Sequence, residues 1–280
     1  MGFFNTKRRD GKRIRDRGTY FDIFPYICKG RNANCIYYYR DVDVGETVDY
    51  IKQKKKEGEY LSFFGVALSA LHRTVLKRPD LNNFIIGNRL YRRNEFSVSY
   101  VVKKEMTDQG EDVEAKLVFS DTETVRDITA KMNETHKALK TASENADDKA
   151  FAILGKIPGF LLSFLAGLVK WLDNRGILPQ FLVDLQPFYS TVFVANLGSI
   201  GVGAPFHHLY ESGTTSIFMT IGKIHEVPTT TKTGEFVKKK VASFAFTIDE
   251  RISDGYYLAR SLDLFEKYMR SPALLEKPED

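Results

Sequence analysis

Leu61, Phe64, Leu68, Leu71 and Val75 step by three and four and line up five apolar side chains on one stripe of a helix. A helix with a single stripe has to lie on a layer that matches it, and the sequence supplies that layer. Phe96 to Lys103 alternates as a strand, and Val113 to Phe119 answers it across the polar loop Asp108 to Asp112. Phe84–Ile86 and Leu90–Arg92 are separated by Gly87-Asn88, a two-residue hairpin signal. Further strands are expected at Thr191–Asn196, Ser216–Ile221 and Val241–Ile248, the last two linked by a long Thr/Lys loop. A final helix carries Leu258, Leu262, Phe265 and Met269, again at helical spacing. Stripes of this kind among alternating strands specify an α/β chain with a mixed sheet covered by helices.

The remaining segments are less regular. Thr19 to Tyr39 is aromatic and β-branched and reads as extended structure. Gly45 to Glu57 reads as a charged surface helix stopped by Gly58, and Thr122 to Lys140 as a helix with little apolar surface, exposed on most sides. Phe151 to Leu172 is apolar on nearly every side apart from Lys156 and Lys170, with Pro158 breaking it in two. Such a helix is a buried core hairpin, a subunit contact, the wall of an acyl-chain tunnel or an interfacial membrane element. At 13 residues, its near-apolar stretch Ile157 to Val169 is too short to span a bilayer.

Charge is concentrated at one end. Residues 1–17 hold seven basic side chains against Asp10 and Asp16, so the +5 of the whole chain belongs to this stretch and everything after it sums to zero. A basic arm, residues 1–18, is therefore expected ahead of one domain spanning 19–280. It reads as a mobile or partner-docking tail, or as an attractor of an anionic partner such as nucleic acid or a membrane. Met1 to Thr6 also fits the loose N-myristoylation pattern. With 280 residues, 43% hydrophobic and 28% charged, the chain is neither disordered nor fibrous. Cys28 and Cys35 cannot build a disulfide framework, and the absence of a signal peptide fits a cytoplasmic setting, with an organellar matrix as the alternative.

Chemistry has few places to sit. Of five histidines, His72 and His136 lie on helices beside polar neighbours and read as surface or edge residues. No spacing of Cys and His suggests zinc, and neither a phosphate loop nor a G-x-S-x-G elbow occurs. Three segments remain: Val194 to Gly201, a strand ending in a Gly-rich loop; Phe246 to Gly255, a strand running through an acidic turn into the final helix; and His207-His208-Leu209-Tyr210-Glu211-Ser212-Gly213.

Taken in order, Arg78-Pro79-Asp80-Leu81-Asn82, Ala195-Asn196-Leu197-Gly198 and Asp249-Glu250-Arg251-Ile252-Ser253-Asp254-Gly255 resemble motifs of one family. The first is similar to its P-x-x-N helix end, the second to S-N-L-G and the third to D-H-R-x-x-D-G. The chain thus resembles, over residues 20–275, the catalytic domain of the dihydrolipoamide acyltransferases of 2-oxo acid dehydrogenase complexes. These share a fold with chloramphenicol acetyltransferase.

The resemblance implies a chloramphenicol acetyltransferase-like mixed β-sheet flanked by helices, in a homotrimer or a larger assembly of trimers with sites between subunits. Coenzyme A would be a substrate, with no covalently bound cofactor. No lipoyl or subunit-binding segment precedes the core, so a lipoyl group would come from another, lipoyl-bearing subunit. In the family a histidine deprotonates the thiol or hydroxyl that attacks an acyl-CoA thioester, a serine donates to the oxyanion, and the aspartate of D-G pairs with an arginine of the first strand. Asp254 and Gly255 match, Asn82 matches the helix-end asparagine, and Arg31 stands as the arginine.

The chemical pair does not match: the base position holds Glu250 and the oxyanion position Ala195, leaving Asn196 and Ser199 as the polar groups of that loop. A general base is worth about 10²–10⁴ in rate and one oxyanion donor about 10²–10³. Two expectations follow. One is a catalytically degenerate, oligomer-forming module. The other is an active CoA-dependent acyltransferase using His208, His207 or Glu250 as base, since the histidine segment follows the loop bordering the family's site.

Overall fold

The computed structural model describes residues 8–15, 17–105, 107, 109–141, 157–231 and 233–278. Nine strands and seven α-helices are assigned within them. In chain order these are β1 Gly11–Arg13, α1 Thr19–Ile27, β2 Cys35–Asp43, α2 Gly45–Lys56, α3 Phe63–Lys77, β3 Asn83–Ile86, β4 Arg89–Arg93, β5 Phe96–Lys103 and β6 Asp112–Phe119. They continue as α4 Val125–Thr141, α5 Gly159–Asn174, α6 Gln180–Leu185, β7 Val192–Asn196, β8 Ile217–Thr230, β9 Phe236–Asp249 and α7 Gly255–Arg270.

Six strands form the main sheet in the order β2-β9-β8-β7-β5-β6, and three form a small sheet in the order β1-β4-β3. β7 runs parallel to β5 and β8 while the outer pairs are antiparallel, so the main sheet is mixed, as expected. One face carries Ile36, Val98, Tyr100, Val194, Met219, Phe244 and Phe246 and is covered by α2, α3, α4 and α7. α3 is capped by Ser62, whose hydroxyl accepts from the Gly65 N–H at 2.9 Å, and stops before Pro79. Gly65 also lets α4 approach: a Cβ there would lie 2.3 Å from Thr129 Oγ1. The β3–β4 turn has positive φ at Gly87 and Asn88 (56° and 58°), the conformation the two-residue signal calls for.

Several expectations are corrected. Thr19–Tyr39 is not extended throughout: its first part is α1, where Tyr20 stacks on Phe24 at 5.1 Å one turn away. Aromatic content raises strand propensity, but an i,i+4 ring pair serves a helix as well. α4 is not bare, because Val125, Ile128, Thr129 and Met132 are buried against the α3 layer. The Thr/Lys loop is largely strand, since β8 and β9 run on as a hairpin whose outer halves are exposed.

The described part of the basic arm, from Arg8 on, is built into the fold. β1 pairs with β4, and Arg8, 3% exposed, binds Asp10 at 2.8 Å and Asp173 at 2.7 Å. Residues 1–7 and 16 lie outside the described residues, as does the 151–156 part of the Phe151–Leu172 segment. The remainder of that segment is not a core hairpin: α5 buries only Asp173. Among the described residues no helix is long and apolar enough to cross a membrane. His72 is not a surface residue either; it is 1% exposed, packed between Phe96 and Phe119. His136 sits half-buried against Tyr100.

Candidate functional site

β2 and β9 pair antiparallel with Cys35 opposite Asp249, so the turn before β2 lies against the turn after β9. Asp249 ends its strand facing away from the helices and is completely buried. Arg251 grips it with two parallel bonds, Nε to Oδ1 at 2.8 Å and Nη2 to Oδ2 at 2.7 Å, and sends Nη1 to the Cys28 carbonyl at 3.1 Å. Arg31 approaches from the other side, Nε 3.9 Å from Asp249 Oδ2, and donates to the Tyr210 and Gly213 carbonyls. Burial is the largest influence on both guanidiniums. It pulls Arg31 down, whereas in Arg251 the bonds and charge of Asp249 outweigh it and the net shift is upward.

This arrangement differs from the pairing the resemblance implies. Arg31 pairs with Asp249, not Asp254. Asp254 is exposed and caps α7, accepting from the Tyr257 N–H at 2.8 Å, and Gly255 opens that helix with open space around it. The physical reason is register: the strand pairing delivers Arg31 to the last residue of β9, and Asp254 lies beyond the 3₁₀ turn Glu250–Ile252.

The histidine segment is fastened to the same place. Asn32 Oδ1 accepts from the Leu209 N–H at 2.9 Å and its Nδ2 donates to the Leu209 carbonyl at 2.8 Å. The Glu211 carboxylate accepts from the backbone N–H groups of Asn32 and Arg31 at 3.1 and 3.4 Å. Burial alone would raise Glu211, but these amide donors and Arg31 hold it below the usual carboxylate range. Cys35, beside Asp249, is pushed up to about 11 by burial and that charge, so its thiol stays protonated.

His207 lies flat on Phe218, ring centroids 4.0 Å apart, and His208 stacks on His207 at 4.5 Å. His207 Nδ1 is 2.7 Å from the His208 carbonyl and His208 Nδ1 is 3.0 Å from the Leu209 carbonyl. A carbonyl only accepts, so each Nδ1 carries a proton, and in the neutral ring Nε2 is the nitrogen with the lone pair. Partial burial depresses His207, which keeps it neutral at pH 7.

Glu250 is half-buried, and its carboxylate has no hydrogen-bond or ionic partner among the described residues. Ala195 packs into the apolar cluster of Phe193, Leu209 and Phe218 and offers no donor. Asn196 ends β7; the Ser199 hydroxyl, exposed, donates to the Asn196 carbonyl at 2.7 Å and so closes its own turn. Asn82 lies apart, joining Thr191 at 2.7 Å to the Glu95 carbonyl at 3.3 Å.

The structure therefore brings together Arg31, the 207–213 segment and the 249–251 turn. Sequence reasoning missed Asn32, Glu211 and Asp249 as the ties between them. It also missed Asn83, whose amide holds the Ile252 carbonyl at 3.2 Å. The only available signal was a carboxylate and a guanidinium two apart at a strand end. No group of His, Cys, Asp and Glu suited to a metal occurs among the described residues.

Residues 186–276 match the family described as 2-oxoacid dehydrogenases acyltransferase (catalytic domain). That span contains Ala195, His207, His208, Glu250 and Asp254, but not Arg31. In fold the chain is similar to a probable dihydrolipoamide acetyltransferase of Listeria monocytogenes, 14% identical, covering 92% of this chain and 94% of that one with a TM-score of 0.58. It is also similar to the Azotobacter vinelandii dihydrolipoamide acetyltransferase, in which the catalytic roles of a serine, a histidine and an asparagine were investigated: 14% identity, 86% and 83% coverage, TM-score 0.60. A chloramphenicol acetyltransferase aligns at 13% identity, 92% and 99% coverage and a TM-score of 0.56. A search of curated protein sequences found no match. The resemblance read from the motifs is thus present in the fold throughout and in the sequence over the last third.

Proposed function

We propose that this acyltransferase-fold chain is a catalytically degenerate, oligomer-forming module. The carrying observation is the pair Glu250 and Ala195 at the base and oxyanion positions: a carboxylate with no partner to hold or tune it, and a methyl group where a donor is needed. In the buried Arg31–Asp249–Arg251 cluster one carboxylate holds two guanidiniums, and the cluster serves as the brace of the fold at this corner. Assembly as a homotrimer or a larger set of trimers belongs to the same reading, as do a lipoyl-bearing partner subunit and a cytoplasmic or organellar-matrix setting. It has support in a solved relative described as the cubic core of the pyruvate dehydrogenase multienzyme complex. Light scattering on the purified chain measures the assembly.

Incubation with acetyl-CoA and a panel of thiols, hydroxyls and amines tests the chemistry. The expected result is no turnover above the uncatalysed rate, with Glu250→His combined with Ala195→Ser raising it by about 10². A second reading is favoured by the histidine tautomers. With Nδ1 anchored on a carbonyl, the Nε2 of His207 or His208 is a ready base for an acceptor thiol, and the chain is an active CoA-dependent acyltransferase. Turnover by the native protein that His208→Ala or His207→Ala abolishes establishes this second reading and overturns the first.

A further inference from the structure

Every residue of α5 from Ser163 to Leu168 is exposed. The exposure is uneven round the helix: Leu165 and Leu168 are 37% and 41% exposed, and Leu162, Val169 and Leu172 beside them are half-buried, so one side is partly covered and the other is open. The most exposed side chains of the helix are large and apolar: Phe160 is 79% exposed, Phe164 65% and Trp171 47%. Sixteen residues make a rod of about 24 Å, shorter than the ~30 Å hydrocarbon core, which suits a helix lying in an interface.

A cationic cleft of about 490 Å³ opens at the C-terminal end of the same helix. Lys29, Arg89, Lys170 and Arg175 rim it, Arg31 and Arg251 form its floor, and Glu211 is the one carboxylate that lines it. Lys29, Arg89 and Lys170 make no ion pair among the described residues, and the buried Arg31 leaves its Nε without a hydrogen bond. The cleft is fixed relative to α5: a Cβ on Gly87 (φ +56°) would lie 2.4 Å from the Asn174 carbonyl, so the β3–β4 turn sits directly on the helix end. Arg175 stacks on the Trp171 ring at 4.4 Å, which places an aromatic and a cation at the junction of apolar rod and charged cleft.

We propose that α5 and the cationic cleft at its end dock on an anionic phospholipid surface, the headgroup phosphate in the cleft and the α5 side chains among the acyl chains. The two halves are contiguous, since Lys170 and Asn174 belong to both and Arg175 caps the helix end. That continuity favours a lipid, which carries phosphate and hydrocarbon on one molecule, over a free phosphate compound. The α1 side chains Tyr20, Ile23 and Ile27, 67%, 47% and 72% exposed, add apolar surface on the element preceding Lys29.

The test uses the full chain with vesicles of phosphatidylcholine alone and of phosphatidylcholine with phosphatidylglycerol, at low and moderate salt. Co-sedimentation is expected with the anionic vesicles and is weakened by salt. Replacing one rim cation costs about fivefold in binding, and the combined Lys29→Gln, Arg89→Gln and Lys170→Gln change about a hundredfold. Phe160→Ser with Phe164→Ser, both exposed, abolishes vesicle binding, and neither this variant nor the native chain retains pyrophosphate in the absence of vesicles. Binding of pyrophosphate without vesicles overturns the lipid assignment in favour of a soluble phosphate ligand. Equal binding to both vesicle types overturns the role of the cleft. No vesicle binding, together with an oligomer mass that falls in the Phe160/Phe164 variant, assigns the helix to a second copy of the chain.

Discussion

α3 and α5 are nearly equal in length, 15 and 16 residues, and both are strongly apolar, yet they end in opposite environments. α3 buries twelve residues without a break from Phe64 to Val75; α5 buries only Asp173, a carboxylate. α3 brings polar groups inside by satisfying them locally: Ser69 and Thr74 return their hydroxyls to the Gly65 and Ala70 carbonyls at 2.7 Å. α5 is the more apolar helix and the more exposed one. Apolar content says that a helix seeks cover, and the matching surface decides whether its own fold provides it.

The contrast makes unequal demands on single side chains. Asp173 accepts from Arg8 Nη1 at 2.7 Å and from the buried Tyr189 hydroxyl at 2.8 Å, so it is the polar pin of α5. Asp173→Ala leaves the Arg8 charge buried beside Asp10 alone and is expected to cost about 3–5 kcal/mol in urea unfolding. A loss below about 1 kcal/mol would show that the pin is dispensable. In α3 the work is apolar: Leu68→Ala, at a fully buried site, is expected to cost about 2–5 kcal/mol through lost contacts and the cavity left behind.

Features governed by one local rule were legible in the sequence. The α3 stripe, the Gly87-Asn88 turn and the Leu258–Met269 stripe are read from spacing alone, and each occurs where spacing puts it, except that Leu61, the first member of the α3 stripe, precedes the Ser62 cap and is buried outside the helix. Features governed by pairing were not. Nothing local says that β8 and β9 run on past the sheet, or that Arg8 leaves a basic stretch to enter the interior. The candidate site divides the same way. The three segments that carry it were identifiable, and two of them meet around Arg31. The choice between Asp249 and Asp254 as its partner depended on the β2–β9 register, which no motif encodes.

A second difference between the helices is testable by pH, because the histidine of α3 is sealed inside. Burial pushes His72 down from its ordinary 6.5 to about 4, with the Arg73 charge acting in the same direction. The folded state therefore keeps the ring neutral while the unfolded chain takes up a proton, so unfolded molecules bind more protons between these values. This contribution is fully present above about pH 6.5 and declines as pH falls toward 4, by about 3 kcal/mol in total. Urea midpoints at a series of pH values measure the slope, and His72→Leu, which packs the same space between Phe96 and Phe119 without a titrating group, is expected to flatten it. α5 has no histidine, so its variants should leave this slope unchanged.

The smallest expected effect is the one that bears most directly on α5. Phe164 is a larger apolar residue than Leu68, so a scale based on side-chain size alone would assign its truncation the greater loss. Burial argues otherwise: at 65% exposure the ring has few contacts to lose, and Phe164→Ala is expected to change stability by less than about 0.5 kcal/mol. The measurement belongs at two protein concentrations. A loss above about 1 kcal/mol that grows with concentration would mean that copies of the chain cover the helix in solution, since association stabilises by mass action. The environment of α5 would then converge with that of α3. A small and concentration-independent change keeps the two helices distinct, one covered by its own sheet and the other requiring cover from outside the chain.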